Sequence, residues 1–143
     1  MEVVRLDSLE PRGWPQAAVA VGNFDGVHRG HEALVALAVR DARAAGGTSV
    51  VLTFDPHPAR VLSPDRAPAS LTTLDQKAEI LAALGVDRLA VLPFTVEMSR
   101  REPEDFAAAF AANLNAASRG PTCRAAYRAP WRFQSSATFP DAR

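Results

Sequence analysis

A single cysteine, Cys123, stands in the 143 residues, which excludes an internal disulfide framework and fits a reducing compartment. Net charge is lacking too, because sixteen basic side chains balance sixteen acidic ones. No global field draws such a chain to nucleic acid or to an anionic membrane, so any anion site has to be built locally. No apolar run approaches the length of about 20 residues that spans a bilayer. The charged opening "MEVVRLDSLEPR" is without the apolar core of a secretory signal. Internal repeats and low-complexity tracts are missing. These absences lead us to expect a cytoplasmic protein with neither a nucleic-acid nor a membrane partner. Its length allows one ordinary domain, burying roughly 70% of the surface that the unfolded chain exposes.

What is present is an alternation of strand and helix patterns. The run "AAVAVGNF", Ala17 to Phe24, is apolar on both alternating faces, as expected of a central parallel strand covered by helices on each side. From His31, "HEALVALAVRDARAAGG" places Leu34, Leu37, Ala38 and Asp41 at helical spacing, and Gly46 with Gly47 supplies a stop. "SVVLTF", Ser49 to Phe54, then returns as a strand and closes a βαβ unit with a right-handed crossover. Four prolines, Pro56, Pro58, Pro64 and Pro68, break every period between Asp55 and Leu71, and that segment reads as a long ordered loop. Thr73 and Gln76 have the form of a capping box, ahead of Leu74, Ala78, Leu81 and Leu84 at helical spacing and a stop at Gly85. "RLAVLPF", Arg88 to Phe94, reads as a third strand. Pro103, with Glu104 and Asp105 behind it, opens a further helix in which Phe106 and Phe110 share a face.

After about Asn115 the pattern stops, and the remainder carries five arginines against one aspartate. The expected division is an α/β domain over residues 1–115 and an irregular, disordered or non-native tail over 116–143. Such a tail could bind phosphate or nucleic acid, but an unpacked terminus is the plainer reading.

The stretch "VGNFDGVHRGH" carries the chemistry. Its turn, "DGVHRG", falls at the carboxyl end of a strand, where open α/β sheets bind ligands. The helix that begins there aims unpaired N–H groups and the positive end of its dipole at the same space, which suits phosphate. Gly22, Gly26 and Gly30 can take positive φ and let a ligand approach the backbone. His28 and His31 each add a donor that is charged or neutral near pH 7. Together these residues describe an anion cradle. Two other readings stay open: His28 and His31 binding a metal with Asp25, for which no further ligand is apparent nearby, or two hydrogen-bonded structural histidines. A Walker-type loop is excluded because no "GK[ST]" follows. Asp25 either braces the turn or joins the site. In "DPHP", Pro56 and Pro58 stiffen an extended loop that His57 fixes by hydrogen bonds, or the loop forms a wall of the site.

"GNFDGVHRGHEALV" together with "LTFDPHP" resembles the bacterial bifunctional riboflavin kinase/FMN adenylyltransferases, or FAD synthetases, in their N-terminal adenylyltransferase module. "HRGH" matches the HxGH signature of nucleotidylyltransferases, and "LTTLDQK" and "LPFTVEMSRREPEDF" extend the similarity, which runs over roughly residues 15 to 115. The resemblance implies a Rossmann-like parallel sheet of the HxGH nucleotidylyltransferase type, incomplete at its C-terminal side. It implies that His28 and His31 are catalytic and contact the phosphates of ATP, with Gly22, Asn23, Phe24, Asp25, Gly26 and Gly30 shaping the nucleotide pocket. It places Thr53, Phe54, Asp55, Pro56, His57 and Pro58 beside the flavin, with Leu62 as a further candidate. The implied reaction joins FMN to the adenylyl group of ATP, giving FAD and pyrophosphate, with Mg2+ accompanying the nucleotide and no metal site on the protein. The alternatives are a noncatalytic nucleotide- or flavin-binding fragment and another HxGH nucleotidylyltransferase with a different acceptor. Family members continue with further strands and a riboflavin kinase module, whereas this sequence departs near Asn115. The expectation is therefore a truncated or frameshifted reading frame.

Overall fold

Short runs of valine, alanine and leucine make the strands, and how deeply each is buried follows its place in the sheet. The computed structural model describes residues 1–7, 14, 16–102, 105, 106, 109, 126 and 127. Strand β1 spans Glu2–Arg5, β2 Ala18–Val21, β3 Ser49–Phe54, β4 Arg88–Leu92 and β5 Ala126–Tyr127. They form one sheet in the order β1-β4-β3-β2-β5, and every pairing is parallel. All of β2 is buried, as are all of β3 except Phe54 and all of β4 except Arg88, whereas the edge strand β1 is mostly exposed. Alternate residues feed two cores, as the period of a strand requires. Val19, Val21, Val50 and Leu52 face one with Trp14; Ala20, Val51, Leu89 and Val91 face the other with the helices.

Helix α1, Arg29–Ala45, joins β2 to β3, and α3, Leu74–Ala83, leads toward β4. The α/β expectation and the parallel sheet hold, while several boundaries move. β2 stops at Val21, three residues before Phe24. α1 starts at Arg29 rather than His31 and buries Val35, Ala38, Val39 and Ala42; Leu34, Leu37 and Asp41 flank that stripe, half-buried. The stripe is displaced by one position because "ALVALAV" is apolar nearly all round, so periodicity alone does not choose its face. The segment read as a loop contains α2, Pro58–Leu62, and a 3-10 turn at Pro64–Arg66. Proline at a first helical position lacks only an N–H that would go unpaired there, so Pro58 starts a helix rather than preventing one. β1 and the four-residue helix α4, Val96–Ser99, were not anticipated.

The capping box is complete, with the Thr73 N–H donating to Gln76 Oε1 at 3.0 Å and the Gln76 N–H to Thr73 Oγ1 at 3.2 Å. Asp105 and Phe106 are helical, and the Phe106 N–H donates to the Glu102 carbonyl; Phe110 lies outside the described residues. Within the stretch expected to be irregular, Ala126 and Tyr127 pair with Ala20 and Val21 of β2. The rest of that stretch lies outside the described residues. Among the described residues no helix is long and apolar enough to cross a membrane.

The double-glycine stop separates two reasons for glycine. Gly46 ends α1 at φ +65° with open space where a Cβ would stand, whereas a Cβ on Gly47 would collide with the Gln16 carbonyl. Gly46→Ala should therefore cost about 1 kcal/mol for its left-handed backbone. Gly47→Ala should cost about 2–3 kcal/mol through overpacking against a backbone that is held in place. Urea unfolding of the two variants checks the difference, and equal losses would contradict it.

Candidate active site

Between the end of β2 and the start of α1 the chain reverses direction in the residues Gly22 to His28. The reversal uses left-handed backbone at Phe24 (φ +48°), Gly26 (φ +72°) and Val27 (φ +36°), and for residues with a Cβ that conformation costs about 1–2 kcal/mol each. Two features hold it. The Phe24 ring is fully buried in the helix-side core. The Asp25 carboxylate accepts hydrogen bonds from the Leu71 N–H at 2.9 Å, the Thr72 N–H at 3.1 Å and the Thr72 hydroxyl at 3.2 Å. The Gly26 N–H in turn donates to Thr72 Oγ1 at 3.1 Å. Of the two roles open to Asp25, bracing the turn is the one the hydrogen bonds describe.

Only one of the three glycines takes positive φ. Gly26 does, and a Cβ there would also stand 2.9 Å from a Leu71 methyl. Gly22 and Gly30 do not; a Cβ on Gly22 would stand 3.3 Å from the Phe24 ring and one on Gly30 3.2 Å from the His28 ring, so their absence leaves room for those rings. Close packing rather than backbone freedom is their physical reason.

His28 is the N-cap of α1. Its carbonyl accepts from the N–H groups of His31 at 2.7 Å and Glu32 at 3.0 Å, and its Nδ1 faces the His31 N–H at 3.4 Å. The two imidazoles stack, with centroids 3.7 Å apart and planes 18° from parallel, and His31 leans on Phe24 at 5.1 Å. His28 is exposed, while His31 is half-buried and its Nδ1 has no hydrogen-bond partner. Burial lowers the pKa of His31 below its ordinary value, and the charges of His28 and Lys77 add to this against the opposing pull of Asp25. His31 is thus a neutral imidazole near pH 7.

The "TFDPHP" residues divide by position. Thr53 is buried, its hydroxyl donating to the Asn23 carbonyl at 3.1 Å, and it ties the end of β3 to the turn after β2. Phe54 packs edge-on against Phe94 at 5.6 Å and near Phe106 at 6.3 Å. Asp55 is exposed, pairs with Arg5 at 3.6 Å and is joined to Pro56 by a cis peptide bond. His57 caps α2, its Nδ1 accepting from the Ala59 N–H at 3.1 Å, a hydrogen bond of the kind expected if it fixes the loop. Burial, with Lys77 and Arg60, lowers its pKa against the pull of Asp25. Pro58 is buried, and Leu62 is 44% exposed at the end of α2. Asn23 therefore meets this second segment directly, and the loops after β2 and β3 open side by side.

Lys77 belongs to this junction, and the sequence reading missed it. Its Nζ donates to the Asn23 carbonyl at 2.7 Å and to Thr53 Oγ1 at 3.3 Å. The available signal was its spacing between Leu74 and Leu81, which sets a lysine on the apolar face of α3. Among the described residues no group of three or more His, Cys, Asp or Glu side chains could hold a metal ion.

A family model described as FAD synthetase matches residues 10–119. The chain belongs to the FAD synthetase family. The match runs past Asn115, where the sequence pattern ends. Curated relatives named bifunctional riboflavin kinase/FMN adenylyltransferase include that of Listeria monocytogenes, 47% identical over 89 residues covering 62% of this chain and 28% of the relative. Those of Bacillus subtilis, 36% identical over 70% of this chain and 32% of the relative, and Escherichia coli K12, 36% identical over 74% and 34%, are similar. This FAD synthetase family chain thus spans about a third of the length of these relatives. A crystal structure titled macrolide-efflux protein from Streptococcus pneumoniae has the same fold, with a TM-score of 0.66 and 25% identity over 80% of this chain and 39% of that one.

Two acid responses are expected. The hydrogen bonds to Asp25 outweigh its burial and lower its pKa, so its stabilising contribution is full above the ordinary value of 3.8 and lost as pH falls through the folded value. Asp25→Ala should cost about 1–2 kcal/mol at pH 7, a difference that closes in stronger acid. For His31 the contribution is full above 6.5 and shrinks as pH falls below it, because the unfolded chain takes the proton first. His31→Leu should flatten that slope but not abolish it, since His57 is shifted the same way. Urea unfolding against pH measures both; a slope unchanged in His31→Leu would contradict the assignment.

Proposed function

We propose that the chain catalyses transfer of the adenylyl group of MgATP to FMN, giving FAD and pyrophosphate, in the cytoplasm. The observation that carries this reading is the stacked His28 and His31 pair at the amino end of α1, in a turn tied to the end of β3. Membership of the FAD synthetase family and the names of the relatives support it.

A triphosphate set against the first turn of α1 meets backbone N–H groups and the positive end of the helix dipole. The Nδ1 of His28 faces the His31 N–H, which leaves its Nε2 to meet a phosphate oxygen. A phosphate oxygen of FMN attacks the α-phosphorus of ATP. The bond to the β-phosphate oxygen breaks, and its electron pair leaves with pyrophosphate. No covalent enzyme intermediate is needed, so the protein supplies positioning and donors placed where negative charge grows. Magnesium enters as part of the nucleotide substrate. Pro56, His57 and Leu62, with Asp55, offer the accessible surface for the flavin, while Thr53 and Phe54 support it from behind.

A second reading is a nucleotide- or flavin-binding domain without turnover. Incubation with FMN and MgATP followed by chromatography separates the two. Formation of FAD is the expected outcome, and binding of both substrates without product would select the second. His28→Ala and His31→Ala should each lower turnover about a hundredfold or more while leaving flavin affinity nearly unchanged. Wild-type turnover in either variant would refute the role of that ring.

A further inference from the structure

Lysines on a helix flank normally bury the alkyl stem and carry the ammonium out to water. Lys77 does the opposite. It is 8% exposed, one turn before the fully buried Leu81, and its Nζ reaches inward to the Asn23 carbonyl and the Thr53 hydroxyl. Both partners are neutral, and among the described residues no carboxylate forms an ion pair with it. Asp25 acts on it only at longer range, its oxygens being engaged by Leu71 and Thr72, and Asp55 pairs with Arg5. A buried ammonium held by neutral acceptors alone is costly to the fold, and an apolar residue of similar shape would be cheaper.

Its place explains what that charge does. Asn23 lies in the turn that leads to His28, and Thr53 is the next-to-last residue of β3. One ammonium therefore joins the two strand ends whose loops form the site. We propose that Lys77 is a positioning residue of this site: it clamps the turn bearing His28 and His31 to the end of β3 and supplies a standing positive charge that an incoming polyphosphate neutralises. This rests on the reading of the amino end of α1 as a polyphosphate site. The carboxylates of Asp25 and Asp55 act on Lys77, and its charge in turn acts on His31 and His57. Lys77 and His28 both oppose protonation of His31, so Lys77 helps to keep that ring neutral until an anion arrives.

The test uses the full chain with Lys77→Gln, Lys77→Met and Lys77→Arg. Gln retains a donor for the Asn23 carbonyl without the charge, Met removes both, and Arg restores the charge. Three quantities are measured: the unfolding temperature, calorimetric affinity for magnesium tripolyphosphate, and titration of the His31 imidazole by NMR. In both neutral variants we expect a folded protein, tripolyphosphate binding weakened about tenfold or more, and titration of His31 at higher pH than in the wild type. Lys77→Arg should return the titration and most of the affinity, which a packing role would not explain.

Wild-type affinity together with an unmoved His31 titration in Lys77→Gln would overturn the proposal. So would failure of both neutral variants to fold while Lys77→Arg folds, since Lys77 would then be a structural charge. If the wild type itself binds no tripolyphosphate, the polyphosphate reading of the site falls. The His31 titration then decides the electrostatic part of the role by itself, an upward move retaining the standing charge beside that ring and none removing it.

Discussion

Two imidazole rings stacked at 3.7 Å over the first turn of α1 are the contact on which the rest of the site depends. The stack exists because His28 is the N-cap and His31 stands three residues on, so the helix sets both rings on one side of its first turn. That helix start is itself imposed by a strained reversal. Phe24 and Val27 hold left-handed backbone, and they hold it because the Phe24 ring is sealed in the core and Asp25 is fastened to Leu71 and Thr72. Strain of this kind persists only where surrounding structure over-determines it. Here the surroundings are a strand buried on both faces and the start of a helix closed by its own capping box.

The electrostatics are local in the same sense. A chain with no net charge gathers a helix terminus, a buried ammonium and two imidazoles at the carboxyl ends of β2 and β3. Burial lowers the pKa of the half-buried His31, and the nearby His28 and Lys77 oppose its protonation further. On the proposed reading, a bound phosphate would reverse the sign of that balance. An N–H donor can then strengthen as charge develops on oxygen, which is the condition for stabilising a transition state more than a ground state.

Much of this was legible in the residues, and the failures have physical causes. β3 and β4 were readable because both faces are covered, which leaves unbroken apolar runs bounded by turn residues. The capping box of Thr73 and Gln76 is a purely local interaction, so local sequence was enough. β1 was not readable: four residues with charged ends on a sheet edge show no usable period, and only pairing with β4 makes them a strand. α2 was hidden by the prolines around it, although Pro58 and the cap at His57 are themselves start signals. The paired histidines were found from their spacing at a strand-to-helix turn. The division of labour within "TFDPHP", and the part of Lys77, depend on contacts between residues 24 to 54 positions apart, such as Thr53 with Lys77 and Asn23 with Lys77, which no local pattern encodes.

The central claim is that a triphosphate rests on the amino end of α1 between the backbone N–H groups and the two rings. A crystal structure of the chain with magnesium and an ATP analogue that cannot be cleaved between its α- and β-phosphates tests it most directly. The account predicts phosphate oxygens within hydrogen-bond distance of the Nε2 atoms of both His28 and His31. A triphosphate seated elsewhere, with those rings still stacked and untouched, would contradict it.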